Sequence, residues 1–189
     1  MTNQLKLMKK LTTLTTFLIY SFILAGCIEP DTVPNGTLQS TDNPGAKLCA
    51  LFPAETITKL IGEPNSSHQL ENLNKDTAGC SFSNSAEPAY SSRNFNIISL
   101  TAADEAEAKS NYDRATGVWR NSEVSNRTLI NLEDFETEAL WSPSTALSQL
   151  ITYKDKTMII VTLGHLPLSD DEQLQTAKSL AETTLNAKI

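Results

Sequence analysis

The chain has 189 residues, 40% of them hydrophobic, with 15 Lys and Arg against 22 Asp and Glu and a formal charge of −7. That length supplies one core of ordinary size. The acidic balance excludes nucleic acid and anionic lipid headgroups as electrostatic partners, because both demand a basic footprint that displaces counterions.

The first segment has the three parts of an export signal. Lys6, Lys9 and Lys10 precede an apolar run from Leu11 to Leu24, broken mainly by Thr and Ser, and small residues follow it. A transmembrane helix needs about 20 mainly apolar residues. This run is shorter and gives way to Glu29-Pro30-Asp31. Its end, Leu24-Ala25-Gly26-Cys27, resembles the lipobox of bacterial lipoproteins. The resemblance implies a signal peptide over 1–26, cleavage before Cys27, a thioether-linked diacylglycerol on that cysteine and an acyl chain such as palmitate on its freed amine. Several chains together anchor stably, since each buried CH2 adds about 0.8 kcal/mol. Ile28 stands where an Asp retains Gram-negative lipoproteins in the inner membrane, so the resemblance implies delivery to the outer membrane in a cell that has one. Removing Lys6, Lys9 and Lys10 leaves 12 basic against 22 acidic residues, a charge of about −10. Such a charge suits solubility at high local density.

Residues 27–45 read as a lipidated N-terminus and tether, rich in Pro, Gly, Asn, Asp and Thr. The 18 residues from Ile28 to Gly45 give a root-mean-square reach of roughly 23 Å. Residues 46–189 then form a single domain. Cys49 and Cys80 remain as an even pair once Cys27 is acylated, and in an exported chain such a pair predicts a disulfide. Its chain-entropy contribution is roughly 3 to 4 kcal/mol.

Leu48-Cys49-Ala50-Leu51-Phe52 opens the domain. Pro53 then starts a short helix with Ile57, Leu60 and Ile61 on one face, ended by Gly62 and Pro64. Extended segments follow at His68 to Leu73 and Cys80 to Ser83, with a clearer strand at Asn94 to Thr101. A second helix begins near Ala102, with Thr101 and Asp104 in capping-box spacing, Ala108, Tyr112 and Ala115 on one stripe, and Gly117 at its end. Strands recur near Arg127 to Leu132 and Glu138 to Trp141, then at Leu147 to Tyr153 and Thr157 to Leu163, the last two joined as a hairpin through Lys154-Asp155-Lys156. A final helix is capped by Ser169 with Glu172 three residues on, and buries Leu174, Ala177, Ala181 and Leu185. The order α-β-β-β-α-β-β-β-α predicts an α+β domain, a mainly antiparallel sheet packed with helices.

Three stretches of this domain carry a further resemblance. Leu48-Cys49-Ala50-Leu51-Phe52-Pro53-Ala54-Glu55, Leu60-Ile61-Gly62 and Gly79-Cys80-Ser81-Phe82 are similar to a family of small cell-envelope lipoproteins of unknown function found in mycobacteria and their relatives. The segment 132–141 fits the same pattern, with Asp134-Phe135 where Gly-Leu-Gly-Asp types are usual in the family. The resemblance spans roughly residues 47–187. It implies a Cys49–Cys80 disulfide and no known enzymatic activity.

Residues able to do chemistry are few. His68 and His165 are the only side chains with an ordinary pKa near neutrality, so a histidine-based hydrolase must use one of them. Neither a G-x-S-x-G elbow nor an S-x-x-K motif is present to activate a serine. Asp104, Glu105 and Glu107, and again Asp170, Asp171 and Glu172, fall in first helical turns, where the helix dipole accounts for them. The acidic run from Glu133 to Glu138 lacks calcium-loop spacing. No metal or cofactor is expected. Trp119, Trp141 and Tyr90 are the large aromatics available to cover a core edge or line a groove, and Trp119 and Trp141 are the candidate ligand surface. The triplets at Asn35, Asn65 and Asn126 carry no meaning in a bacterial lipoprotein.

The expectation is a membrane-anchored envelope module that binds a protein, peptide or glycan without catalysis. An envelope hydrolase with a dispersed site, with His165 as the first residue to change, and a structural component of an envelope assembly are the alternatives.

Overall fold

The computed structural model describes residues 43–70, 73, 76–88, 91–121, 128–133, 135 and 137–187. All of these belong to the second of two units, Gln39–Ile189. The lipobox with Cys27, most of the tether, Tyr90, Asn35 and Asn126 lie outside the described residues.

The elements are α1 (Pro44–Ala50), α2 (Ala54–Ile61), β1 (Asn65–Gln69), β2 (Thr77–Asn84), β3 (Asn94–Thr101), α3 (Glu105–Asn121), β4 (Ile130–Asn131), β5 (Ala139–Ser142), β6 (Leu147–Lys154), β7 (Thr157–Gly164) and α4 (Asp170–Asn186). The domain is α+β with the expected order. The opening helical segment comprises two short helices, and the second run comprises four strands, each overlapping a predicted one. One antiparallel sheet of seven strands runs β1-β2-β3-β7-β6-β5-β4.

Helices cover the sheet unequally. On one face Leu48 of α1, Ile57 and Ile61 of α2, and Ala177, Leu180 and Ala181 of α4 join Cys80, Phe82, Phe95, Ile97, Ile159, Val161 and Leu163 in the main core. Phe82 and Phe95 stack there at 4.4 Å between centroids, and Phe52 meets both edge-on at 5.7 and 6.2 Å, arrangements suited to the ring quadrupole. On the other face, among the described residues, α3 packs against β6 and β7. Ala108 and Tyr112 meet Ile151, Tyr153 and Met158 in a second, smaller cluster.

The Cys49–Cys80 disulfide is formed, tying α1 to β2 across 31 residues with the Cα atoms 5.3 Å apart. Helix α4 begins with the predicted capping box: the Ser169 hydroxyl accepts from the Glu172 backbone N–H, and the Glu172 carboxylate accepts from the Ser169 N–H.

Four expectations are corrected. Pro44 and Gly45, assigned to the tether, open α1, because Asn43 caps it by accepting from the Gly45 N–H and Pro44 is preset for a first turn. β1 lies at Asn65–Gln69 rather than His68 to Leu73. Helix α3 starts at Glu105, with the Asp104 carboxylate accepting from the Glu107 N–H at 2.8 Å and Glu107 accepting from the Ala103 N–H. It also runs through Gly117 to Asn121. Trp119 packs on the smaller core beyond that glycine, which offsets the roughly 1 kcal/mol that a mid-helix glycine costs.

Candidate functional site

Side chains alternate between the faces of a strand, so register decides which residues share a face. On the face that carries α3, the successive Cα partners His68, Ser81, Asn96, Thr162, Gln149 and Ser142 form one continuous row across six strands. All are amides, hydroxyls or imidazole. At the usual strand spacing the row is roughly 24 Å long. A neighbouring row, two residues along each strand, reads Ser66, Ser83, Asn94, Gly164 and Leu147. The row on the opposite side is apolar, with Ile98, Ile160 and Ile151 in register, and α3 lies over its β6–β7 end. The sheet face thus divides into a covered apolar half and a polar half over which, among the described residues, no helix packs.

The polar half is organised by its own hydrogen bonds. Gln149 Nε2 donates to Thr162 Oγ1 at 3.1 Å. Asn94 Nδ2 donates to the Ser92 carbonyl at 2.7 Å, and Asn96 Nδ2 donates to Asn94 Oδ1 at 3.4 Å. Gly164 makes room for this arrangement, since a Cβ there would sit 2.6 Å from Asn94 Nδ2. Ser66 and Ser83 share a 3.3 Å hydrogen bond at the exposed end. Ser142 closes the row at 1% exposure, and its Oγ has no hydrogen-bond partner.

Over the β1–β3 end lies a cleft of about 350 Å³, whose lining includes His68, Ser81, Ser83, Asn94, Asn96 and Glu87. Glu87 is committed to Arg93: its carboxylate accepts from Arg93 Nε at 2.6 Å and from the Arg93 backbone N–H at 2.7 Å, and Nη2 lies 2.6 Å away. The Arg93 contacts hold the Glu87 carboxyl below the usual carboxylate range, with a smaller attraction from His165. The one charged pair in the cleft is therefore internally neutralised. A second groove, about 580 Å³, runs between α2 and α4 on the opposite face, with Leu60, Leu168 and Leu180 below Lys59, Asp171 and Glu172.

The predicted site residues separate. His68 is exposed at the end of the polar row and lines the cleft. His165 is exposed just past β7, at a positive φ of 52°, where its N–H donates to the Ala146 carbonyl. Trp119 is half-buried against the smaller core. Trp141 is 2% exposed and packs in the main core. The two tryptophans therefore belong to clusters on opposite faces and cannot edge one groove, and Trp141 offers no ligand surface. Sequence reasoning missed Ser81, Asn96, Thr162, Gln149 and Ser142. The available signal was weak: on this face Gln149 stands alone among Leu147, Ile151 and Tyr153 of β6, and Thr162 among Met158, Ile160 and Gly164 of β7. Among the described residues no cluster of His, Cys, Asp and Glu is arranged to hold a metal ion, and no helix is long and apolar enough to cross a membrane.

No protein-family profile, curated protein or solved structure matches the chain.

Proposed function

We propose that this protein is an envelope lipoprotein, anchored through acylated Cys27 and delivered to the outer membrane where the cell has one, whose domain binds a ligand on the open polar half of its sheet and performs no chemistry on it. The observation that carries the binding reading is the six-residue polar row. An antiparallel sheet commonly turns polar side chains of one face to solvent, so the reading rests on the alignment of these groups into one row that runs into a cleft. Here hydrogen-bonding groups from six strands lie beside a covered apolar half, and among the described residues no helix packs over them. The lipobox and the tether supply the anchoring part of the reading.

A histidine-dependent hydrolase is the second reading, favoured by one observation: His68 and Ser81 are direct cross-strand partners lining the same cleft. The acid in that cleft, Glu87, is engaged by Arg93 rather than by the imidazole, so the orienting third member of a triad is occupied elsewhere.

Anchoring and partnership are tested together by isolating the protein from native membranes after mild crosslinking, with Cys27→Ala beside it. The wild type is expected to incorporate labelled palmitate, to sediment with membranes and to bring a specific ligand with it. Cys27→Ala is expected to lose the label and the membrane association. Unchanged membrane association in Cys27→Ala would remove the lipid anchor. An activity abolished by His68→Ala would replace the binding reading with the hydrolase.

A further inference from the structure

We propose that the polar row binds a neutral, linear, hydroxyl-rich chain, an envelope saccharide by chemical class, lying across the strands from His68 to Gln149. This rests on the binding reading above and adds the ligand and its orientation.

The chemistry of the row narrows the ligand. Amides and hydroxyls each donate and accept, which matches a ligand whose groups do both at every position. Among the described residues, the ion pair at the cleft is Glu87 with Arg93, and it closes on itself. A charged polymer would therefore meet no uncompensated counter-charge there.

Geometry separates a saccharide from a peptide. An extended peptide is captured at a sheet edge, where backbone N–H and C=O groups remain to be paired. The row instead crosses the face of paired strands, whose backbone groups are joined strand to strand. Recognition there falls to side chains spaced one strand apart, roughly 4.8 Å, and favours a ligand that projects hydrogen-bonding groups repeatedly along its length. Leu147, 37% exposed at the end of the neighbouring row, gives apolar C–H surface a place to rest.

The test uses the detergent-solubilised full chain and three neutral hexasaccharides, chitohexaose, cellohexaose and maltohexaose, with hexagalacturonate as the charged counterpart. At least one neutral hexamer is expected to shift the backbone amide NMR signals of Ser81, Asn96 and Thr162 more than hexagalacturonate does. The double variant Thr162→Val, Gln149→Met is expected to weaken that binding about tenfold, consistent with two lost hydrogen bonds. Lys59→Ala, in the groove on the other face, is expected to leave it unchanged. Well-dispersed spectra with no shift of the row signals by any neutral hexamer overturn the saccharide inference, as does tighter binding of hexagalacturonate. If a different crosslinked ligand is then lost in the double variant, the binding reading survives without the saccharide. If that ligand is indifferent to the double variant, both fall.

Discussion

Asn94 and Gly164 show how single residues set the character of the open face. Asn94 occupies the space that a Cβ at position 164 would take, and its amide accepts from Asn96 while donating to Ser92. Ser142 is the reverse case, a buried polar atom with nothing to bond. Because an unsatisfied hydroxyl costs about 1 to 3 kcal/mol, Ser142→Ala is expected to raise stability by about 1 kcal/mol in urea denaturation. A loss of stability would mean that the hydroxyl has a bonding partner. Trp141 marks the limit of reading single residues: its size and strand position announce an important aromatic, but only the pairing of β5 with β6 places it inside the main core.

At the scale of the element, the α4 cap was legible in the sequence, whereas the α3 cap lies at Asp104 and not at Thr101. Ser169 and Glu172 form the expected box because both bonds are local and depend on nothing outside the first turn. Ser169→Ala is expected to cost about 1 kcal/mol, read as a lowered denaturation midpoint. The backbone and side-chain bonds from Ser169 hold the Glu172 carboxyl below its ordinary value of 4.5, and Arg93 does the same to Glu87. A carboxyl depressed in the folded state stabilises fully above its unfolded pKa and loses that contribution as pH falls through the folded value. Stability is therefore expected to decline below about pH 4.5, and Glu172→Gln to flatten part of that acid limb in denaturation series across pH. Helix ends were less legible where tertiary packing intervened. Gly117 reads as a stop by propensity, yet α3 continues because Trp119 finds a surface to pack on. Pro44 and Gly45 read as tether by composition, yet Asn43 and the docking of α1 on β2 make them helical.

For the whole molecule, the disulfide is a covalent cross-link between α1 and β2 of the sheet. Reduction, or Cys49→Ala with Cys80→Ala, is expected to cost roughly 3 to 4 kcal/mol and to lower Tm by roughly 10 °C, measured by thermal unfolding with and without reductant. An unchanged Tm would mean that α1 is held by Leu48 and the phenylalanine cluster alone. By itself the sequence determined what depends on near neighbours: the signal-like N-terminus, the alternation of strands and helices, the α4 cap, the even cysteine pair and hence the α+β class. Tertiary structure alone decided what depends on alignment. Which face each strand turns to α3, why Trp119 and Trp141 part to opposite sides, and that six polar residues from six strands form one line all follow from register. A shift of one residue in any strand would turn its side chains to the other face and break the row, and no local pattern in the chain encodes that pairing.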